Sequence, residues 1–552
     1  MIGVIIENNL KPVVREFFEL FKTPWEFYKE GVTYDILFIS GNAEYDLKAK
    51  LIIIYGSEKR RFDEEFGLNI VDRHDVPEMT YRDKSFPIYG AALAFETEST
   101  PLLKIHDAHG SAAVRVETDH AEYVRIGYDL LQEIRHLLAV GQPETYAMVP
   151  TLDLHVAFLR DRILDSGIPF VEIPPRPAGY PYMVCLTHDV DFAGMRFHKC
   201  DRTMFGFIYR ALFVSAVRAL KGALPGKKLL KNVQAALSIP LVYAGVVKDF
   251  MVNFERYIQL EEGIASTFYF IPYKNTPGWI AGVPAPGIRA AKYDVTDIRN
   301  ELKRLISSGH ELGLHGIDAW QDAEKGRHER DTITECSGDH EVGVRMHWLY
   351  FSSDTPQRLE QAGFLYDSSI GYNDAVGYRA GTTQVFRPLG VEKLLELPLH
   401  IMDTALFYPQ RMGLTEEEAF TLIRKNIADA DENGGVLTIN WHQRSIGPER
   451  FWDDFYILLL KELKALNGYF CTALQAVKWF SKRRAVTFHQ VHATASGMTV
   501  RLTAPQMDGT PAIILRTYSP LPKAQKGNSE RALRYIDTPF NGCLETTIPF
   551  RG

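Results

Sequence analysis

At 552 residues the chain is too long for one compact core, so two or three domains are expected. Apolar content of 46% with 24% charged residues is that of a folded globular protein and excludes wholesale disorder. A net charge of −7 with a pI near 6.2 excludes the strongly basic domain that a nucleic-acid partner calls for, so no nucleic acid is expected.

The N-terminus, MIGVIIENNLKPVVREFF, lacks the cationic, long apolar and small-residue regions of a secretory signal. No segment reaches 18 uninterrupted apolar residues, so no spanning helix is predicted. Five scattered cysteines, Cys185, Cys200, Cys336, Cys471 and Cys543, without CxxC spacing fit reduced thiols rather than a disulfide framework or a thiolate metal site. The expected location is the cytoplasm, with a membrane surface as an option.

Residues 1–172 read as a mixed α/β accessory domain. Ile2–Ile6, Asp35–Ser40 and Leu51–Tyr55 look like strands, and Tyr123–Leu138 and Leu152–Leu164 like amphipathic helices. Residues 173–182 hold four prolines and read as a stiff linker. Over 183–483 short strands alternate with helical patterns, as in βα barrels and doubly wound sheets. Helix ends are signalled by Thr355-Pro356 with Gly363, by the Thr415/Glu418 capping box, and by Gly309. Residues 484–552 alternate instead and read as a small β domain.

An insertion at 198–255 stands out. From Lys199 to Lys231 it carries eight Lys or Arg and one acid, Asp201, interleaved with Phe205, Phe207, Ile208, Leu212, Phe213 and Val214. Such a segment can make peripheral contact with an anionic membrane through 199–231. It can equally be a helical excursion packed on the barrel with a solvated basic face.

The segment Met183-Val-Cys-Leu-Thr-His-Asp-Val-Asp191 is an apolar strand ending in polar residues. Its alternation projects Asp189 and Asp191 together from the C-terminal end, where α/β folds place their sites. Two carboxylates so close need a cation or other strong partners. Three more segments deliver histidines at predicted strand ends: GHELGLH to His315, GVLTINWH to His442, and VRMH to His347, with Arg345 on the same side. Aromatic and guanidinium side chains at Trp441, Tyr372, Tyr378 and Arg379 are candidates for a sugar-binding groove.

Along some 300 residues the landmarks LTHDVD, STFYFIP, GHELGLHG, Arg345, GFLYDSS and LTINWH resemble the NodB-homology polysaccharide deacetylases of carbohydrate esterase family 4. The resemblance implies a distorted (β/α)7-type barrel and hydrolytic removal of acetyl groups from an acetylated glycan. It makes Asp189 the general base, Asp191 a metal ligand, His442 the general acid and Arg345 the holder of the base. The family's second motif supplies two histidines four residues apart, but the position four after His315 is Ala319. Catalytic zinc takes three protein ligands, so a third is needed. His347 fits best, as in a branch with a similar Arg-x-His element, and Asp318 is the runner-up. The metal expected is a divalent ion, zinc foremost, with other transition metals open. His442 needs an orienting carboxylate, and Asp403 is preferred over Asp367. Three rival readings stay open: a non-haem iron site, an amidohydrolase acting on a small non-sugar amide, and a degenerate carbohydrate-binding module that lost its metal.

Overall fold

The computed structural model describes residues 1–41, 48–97, 101–494, 496–520 and 535–550. Three bodies of secondary structure follow one another along the chain, and all are α/β or β in character.

The N-terminal body is built on a six-stranded sheet. Its order is Ala113–Glu117, Glu122–Ile126, Leu51–Tyr55, Ile36–Ser40, Ile2–Ile5 and Trp25–Phe27. Every pairing is parallel except the first, a hairpin. The inner strands are buried on both faces, which explains their unbroken apolar runs. Tyr123–Leu138 is not one helix. Its first residues are the strand Glu122–Ile126, and the helix starts only at Leu130, where the Asp129 carboxylate caps the N–H groups of Leu131 and Gln132. Tyr123, Val124 and Ile126 favour a pleated surface over a helix, and Gly127 separates the two elements.

The central body is a curled parallel sheet with helices alternating along it, as in a βα barrel. The path runs Leu395–Glu396, Tyr366–Asp367, Val344–Met346, Glu311–Gly316, Thr267–Phe270, Met183–Val190, Val436–Asn440 and Ile401–Met402, with Tyr469–Cys471 also paired to Met183–Val190. Helices Arg299–Ser307, Ala323–Ser337, Thr355–Ala362 and Glu416–Asn433 alternate with these strands. The core clusters around Leu186, Phe268, Leu314, Leu437 and Ile439. The parallel register brings the C-terminal ends of four strands to one rim.

The insertion forms a helical hairpin, Arg202–Leu220 followed by Gly226–Tyr243. By length and composition alone Arg202–Leu220 is apolar enough to cross a membrane, although it holds no run of 18 uninterrupted apolar residues. Its charges are spaced widely enough to leave an apolar average around Arg210 and Arg218.

The C-terminal body has two antiparallel three-stranded sheets. One of them takes the strand Phe170–Glu172, which precedes the proline-rich segment and pairs with Ile513–Tyr518. Val171 and Ile173 are buried with Val500 and Leu515, so the chain crosses between bodies before the prolines begin.

Candidate active site

Four strand ends supply the polar side chains. Met183–Val190 is buried along its length, and its final residues deliver Asp189 and, just beyond, Asp191. Arg345 lies inside Val344–Met346 and His347 directly follows it. After His347 the backbone turns through Trp348 and Leu349, both in the left-handed region at φ 64° and 52°. Such conformations in non-glycine residues are held only by strong surroundings, and they cluster at functional sites. Here the carbonyl of His347 accepts from Arg289 Nη2 at 3.0 Å, and Met346 N–H donates to Ser369 Oγ at 2.9 Å.

Asp189 is held on two sides. Arg345 Nη1 donates to its Oδ1 at 3.1 Å and Asn440 Nδ2 to its Oδ2 at 2.8 Å. Arg345 is itself fully enclosed, bonded to Thr187 Oγ1 and to the carbonyl and hydroxyl of Ser368, with its guanidinium over the Tyr269 ring. Two carboxylates at one rim are therefore treated differently, and Asp189 has the fixed cation.

Asp191 faces histidines. Its Oδ1 lies 3.1 Å from His315 Nε2 and 3.4 Å from His347 Nε2, and its Oδ2 lies 3.7 Å from His442 Nε2. Ligand atoms of Asp191, His315 and His347 all fall within 4.8 Å of one another. His315 Nδ1 is engaged by the carbonyl of Arg345 at 2.9 Å, which leaves Nε2 for the shared space. Burial drives the His347 pKa well down against the pull of Asp191, in the direction of the neutral imidazole that a metal ligand needs. Burial opposes ionisation of Asp191, yet His347, His315 and His442 together hold its carboxyl well below the usual range. Asp191 Oδ1 is buried without a hydrogen-bond partner. Two imidazoles and one carboxylate aimed at one point are a donor set that suits a divalent transition metal.

His442 gives two hydrogen bonds to one carboxylate. Its Nδ1 lies 2.6 Å from Asp403 Oδ1, and its backbone N–H donates to Asp403 Oδ2 at 2.8 Å. Burial works against charging the ring, but Asp403 outweighs it and the pKa stands above the ordinary histidine value. Asp367 sits elsewhere, accepting from Ser369 Oγ, and burial raises its pKa to about 6. Asp318 is also apart, accepting from Trp279 N–H at 2.8 Å and facing Lys325 Nζ at 3.1 Å.

These groups open into a cleft of about 720 Å³ whose walls include Asp189, Asp191, His315, His347, Trp348 and His442. The four residues expected to line a sugar groove lie away from it, Tyr372 being buried with its hydroxyl donating to the carbonyl of Gln142 at 2.7 Å. Trp441 is fully buried and stacked on Phe455, and Tyr378 is fully buried beside Asp429. Arg379 donates to the carbonyl of Gly371. Trp441 alternates with Asn440 and His442, so the pleat turns it into the core. Sequence reasoning missed Asn440, although it stands two residues before His442 on the same strand face. It also missed His188, whose Nε2 is 3.0 Å from the buried Glu261.

No protein-family model matches the chain, and no curated protein matches it. Among solved structures, it is similar to a candidate polysaccharide deacetylase from Mycobacterium smegmatis at 19% identity and a TM-score of 0.34, over 56% of this chain and 95% of that one. The carbohydrate deacetylase Agd3 is 9% identical with a TM-score of 0.39, over 100% of this chain and 98% of that one. Puue allantoinase is 14% identical with a TM-score of 0.33, over 56% of this chain and 93% of that one.

Proposed function

We propose that the protein is a metal-dependent hydrolase that removes acetyl groups from the amino sugars of a glycan. The observation that carries this reading is the meeting, in one cleft, of a three-donor metal group, an Arg-held carboxylate and an Asp-held histidine. Asp191, His315 and His347 would hold the ion, zinc before other metals on this donor set. A divalent cation held there would supply carbonyl polarisation and an acidified water. Asp189, its carboxylate kept aimed by Arg345 and Asn440, takes the proton of the attacking water as the water oxygen bonds to the acetyl carbon. His442, kept protonated by Asp403, delivers a proton to the departing sugar nitrogen as the C–N bond breaks. General acid and base help is worth about 10²–10⁴-fold for each group.

The test is acetate release from N-acetylated chito-oligosaccharide together with metal analysis of the purified protein. Wild type is expected to hold one ion per chain and to release acetate. His315→Ala and His347→Ala are expected to lose both properties, and Asp189→Asn only the activity. Full metal and activity in His347→Ala would break the three-donor assignment. A metal-free, inactive wild type would favour a degenerate module, and turnover of small amides alone would favour an amidohydrolase.

We place the enzyme in the cytoplasm, on its five free cysteines, and at a membrane surface. Nearly half of the exposed large hydrophobic side chains described lie between Phe205 and Val247, among them Phe213, Leu220 and Leu237. Lys221, Lys227 and Lys231 are exposed on the same hairpin, a pairing that suits anionic lipid. Arg210 is bonded by two nitrogens to Glu449 of the barrel, and Asn232 bridges Ser215 to the Glu449 N–H. Those ties favour a helix lying on the bilayer over one crossing it. Sedimentation with phosphatidylglycerol vesicles, but not with phosphatidylcholine ones, is expected to capture the protein. Leu220→Glu with Leu237→Glu is expected to release it. Equal capture by both lipids, or of that variant, would refute the surface.

A further inference from the structure

Buried arginines in this protein have partners. Arg125 meets Asp63, Arg345 meets Asp189, Arg484 meets Glu16 and Arg516 meets Asp537. Arg289 and Arg483 lack a carboxylate but donate to backbone carbonyls. A buried cation without either kind of partner is unfavourable in a folded protein.

Arg444 has neither. It follows His442 by two residues, in the short turn Gln443–Ile446, and lines the same cleft as Asp189 and Asp191. Its Nε is buried without a hydrogen-bond partner, and its guanidinium rests over the Phe192 ring at 5.2 Å. Arg450 lines the cleft beside it. That guanidinium donates to Ser445 Oγ at 2.9 Å and to the Tyr408 hydroxyl, and its Nε too is buried and unbonded. The nearest acid along the chain, Glu449, is committed to Arg210 through both oxygens. Among the described residues no carboxylate lies within ion-pair distance of Arg444 or Arg450. Burial, with Arg450 adding to it, lowers the Arg444 pKa to about 10, so the group is still a cation at neutral pH. Across the cleft Arg202 and Lys292 add to the same sign. Of the three acids that line the cleft, Asp189 and Asp191 already face Arg345 and the histidines, and Asp201 is engaged by His198 Nδ1 at 2.7 Å and by the Met204 N–H.

We infer that Arg444, supported by Arg450, is a subsite for an anionic group, phosphate or carboxylate, that the substrate carries next to its acetylated sugar. A guanidinium fork matches both groups through paired N–H donors, and the missing counter-charge then arrives with the ligand. The inference rests on the deacetylase reading for the identity of the substrate, but not for the anion itself.

The experiment compares three acetylated probes on wild type, Arg444→Gln and Arg444→Lys: N-acetylglucosamine 1-phosphate, N-acetylmuramic acid, and neutral diacetylchitobiose. Acetate release gives kcat/KM, and calorimetry gives binding. Wild type is expected to favour at least one charged probe over the neutral one by tenfold or more, the preferred probe telling phosphate from carboxylate. In Arg444→Gln that ratio should fall at least tenfold, mainly through KM, with partial recovery in Arg444→Lys. The thermal midpoint of Arg444→Gln is expected to stay level or rise, because a half-buried charge without a protein counter-charge has been removed, whereas a merely structural arginine would lower it. No charge preference in wild type, or a ratio unchanged in Arg444→Gln, overturns the subsite. If no probe releases acetate, the deacetylase reading falls by itself. The subsite then stands or falls on whether N-acetylglucosamine 1-phosphate binds wild type at least tenfold tighter than Arg444→Gln.

Discussion

Asp403 spends both oxygens on His442, one on the ring and one on the backbone N–H, and that fixes the tautomer as well as the charge. Replacing it with asparagine keeps the shape and removes the carboxylate that lifts the His442 pKa against burial. The acid form is then lost at lower pH, so the alkaline limb of kcat should move to lower pH and the maximum should drop on the order of 10²-fold or more. A pH–rate profile of Asp403→Asn that overlays wild type would leave Asp403 without this role. A second residue ties pH to folding. Glu133 is buried, accepts from the N–H groups of Tyr89 and Gly90, and has its pKa raised by burial from 4.5 to about 7. The folded state therefore holds this proton more tightly than the unfolded chain. The contribution is fully present below pH 4.5 and is lost as pH rises through about 7, a swing of about 3 kcal/mol at most. Glu133→Gln is expected to flatten the fall of the thermal midpoint between pH 5 and 8, and calorimetry at the two values reads it. The residues legible in the sequence were those at strand ends, because alternation alone aligns Asp189 with Asp191 and Arg345 with His347. Trp441 and Tyr378 were misplaced for a physical reason: a large aromatic beside a site is more often the core that supports it than the surface that binds.

At the scale of elements, the strand carrying Arg345 is set by what lies under it. A Cβ built on Gly343 would fall 1.9 Å from Tyr366 Cζ, and the Tyr366 ring is pinned by its hydroxyl, which donates to Glu311 Oε1 at 2.6 Å and accepts from Tyr269 at 3.1 Å. Gly343→Ala is expected to push Val344–Met346 outward, lowering stability by roughly 1–3 kcal/mol and loosening His347, so metal occupancy should fall with the thermal midpoint. An unchanged midpoint would mean the ring yields freely. Element type was readable where caps and periodicity agreed, as for Glu416–Asn433, and in Thr355–Ala362 the helix ends at Gly363 as expected but its N-cap is Asp354, one residue before Thr355. It was misread at Tyr123, where a strand and a capped helix are separated by three residues and their apolar positions merge into one helical-looking stripe. The hairpin at 202–243 was legible as helical, but which of its apolar residues face solvent depended on packing against the barrel.

At the scale of the whole molecule, the three bodies are stitched by contacts between distant parts of the chain. Arg483 donates to the carbonyls of Glu19, Leu20 and Ile173, and Arg484 is bonded by two nitrogens to Glu16. None of this was visible in the sequence, since nothing local marks partners several hundred residues apart. The strand Phe170–Glu172 adds a matter of timing. Its partner, Ile513–Tyr518, is made only after more than three hundred further residues, and synthesis runs at about 5–20 residues per second. For some tens of seconds the nascent chain therefore holds an open strand edge beside the buried-to-be Val171 and Ile173, a sticky interval of the kind that chaperones cover. Ribosome-bound chains stalled before residue 513 are expected to be cut by protease near residue 172, and chains stalled well beyond residue 540 to resist. Equal resistance in both would mean the edge finds a temporary cover of its own.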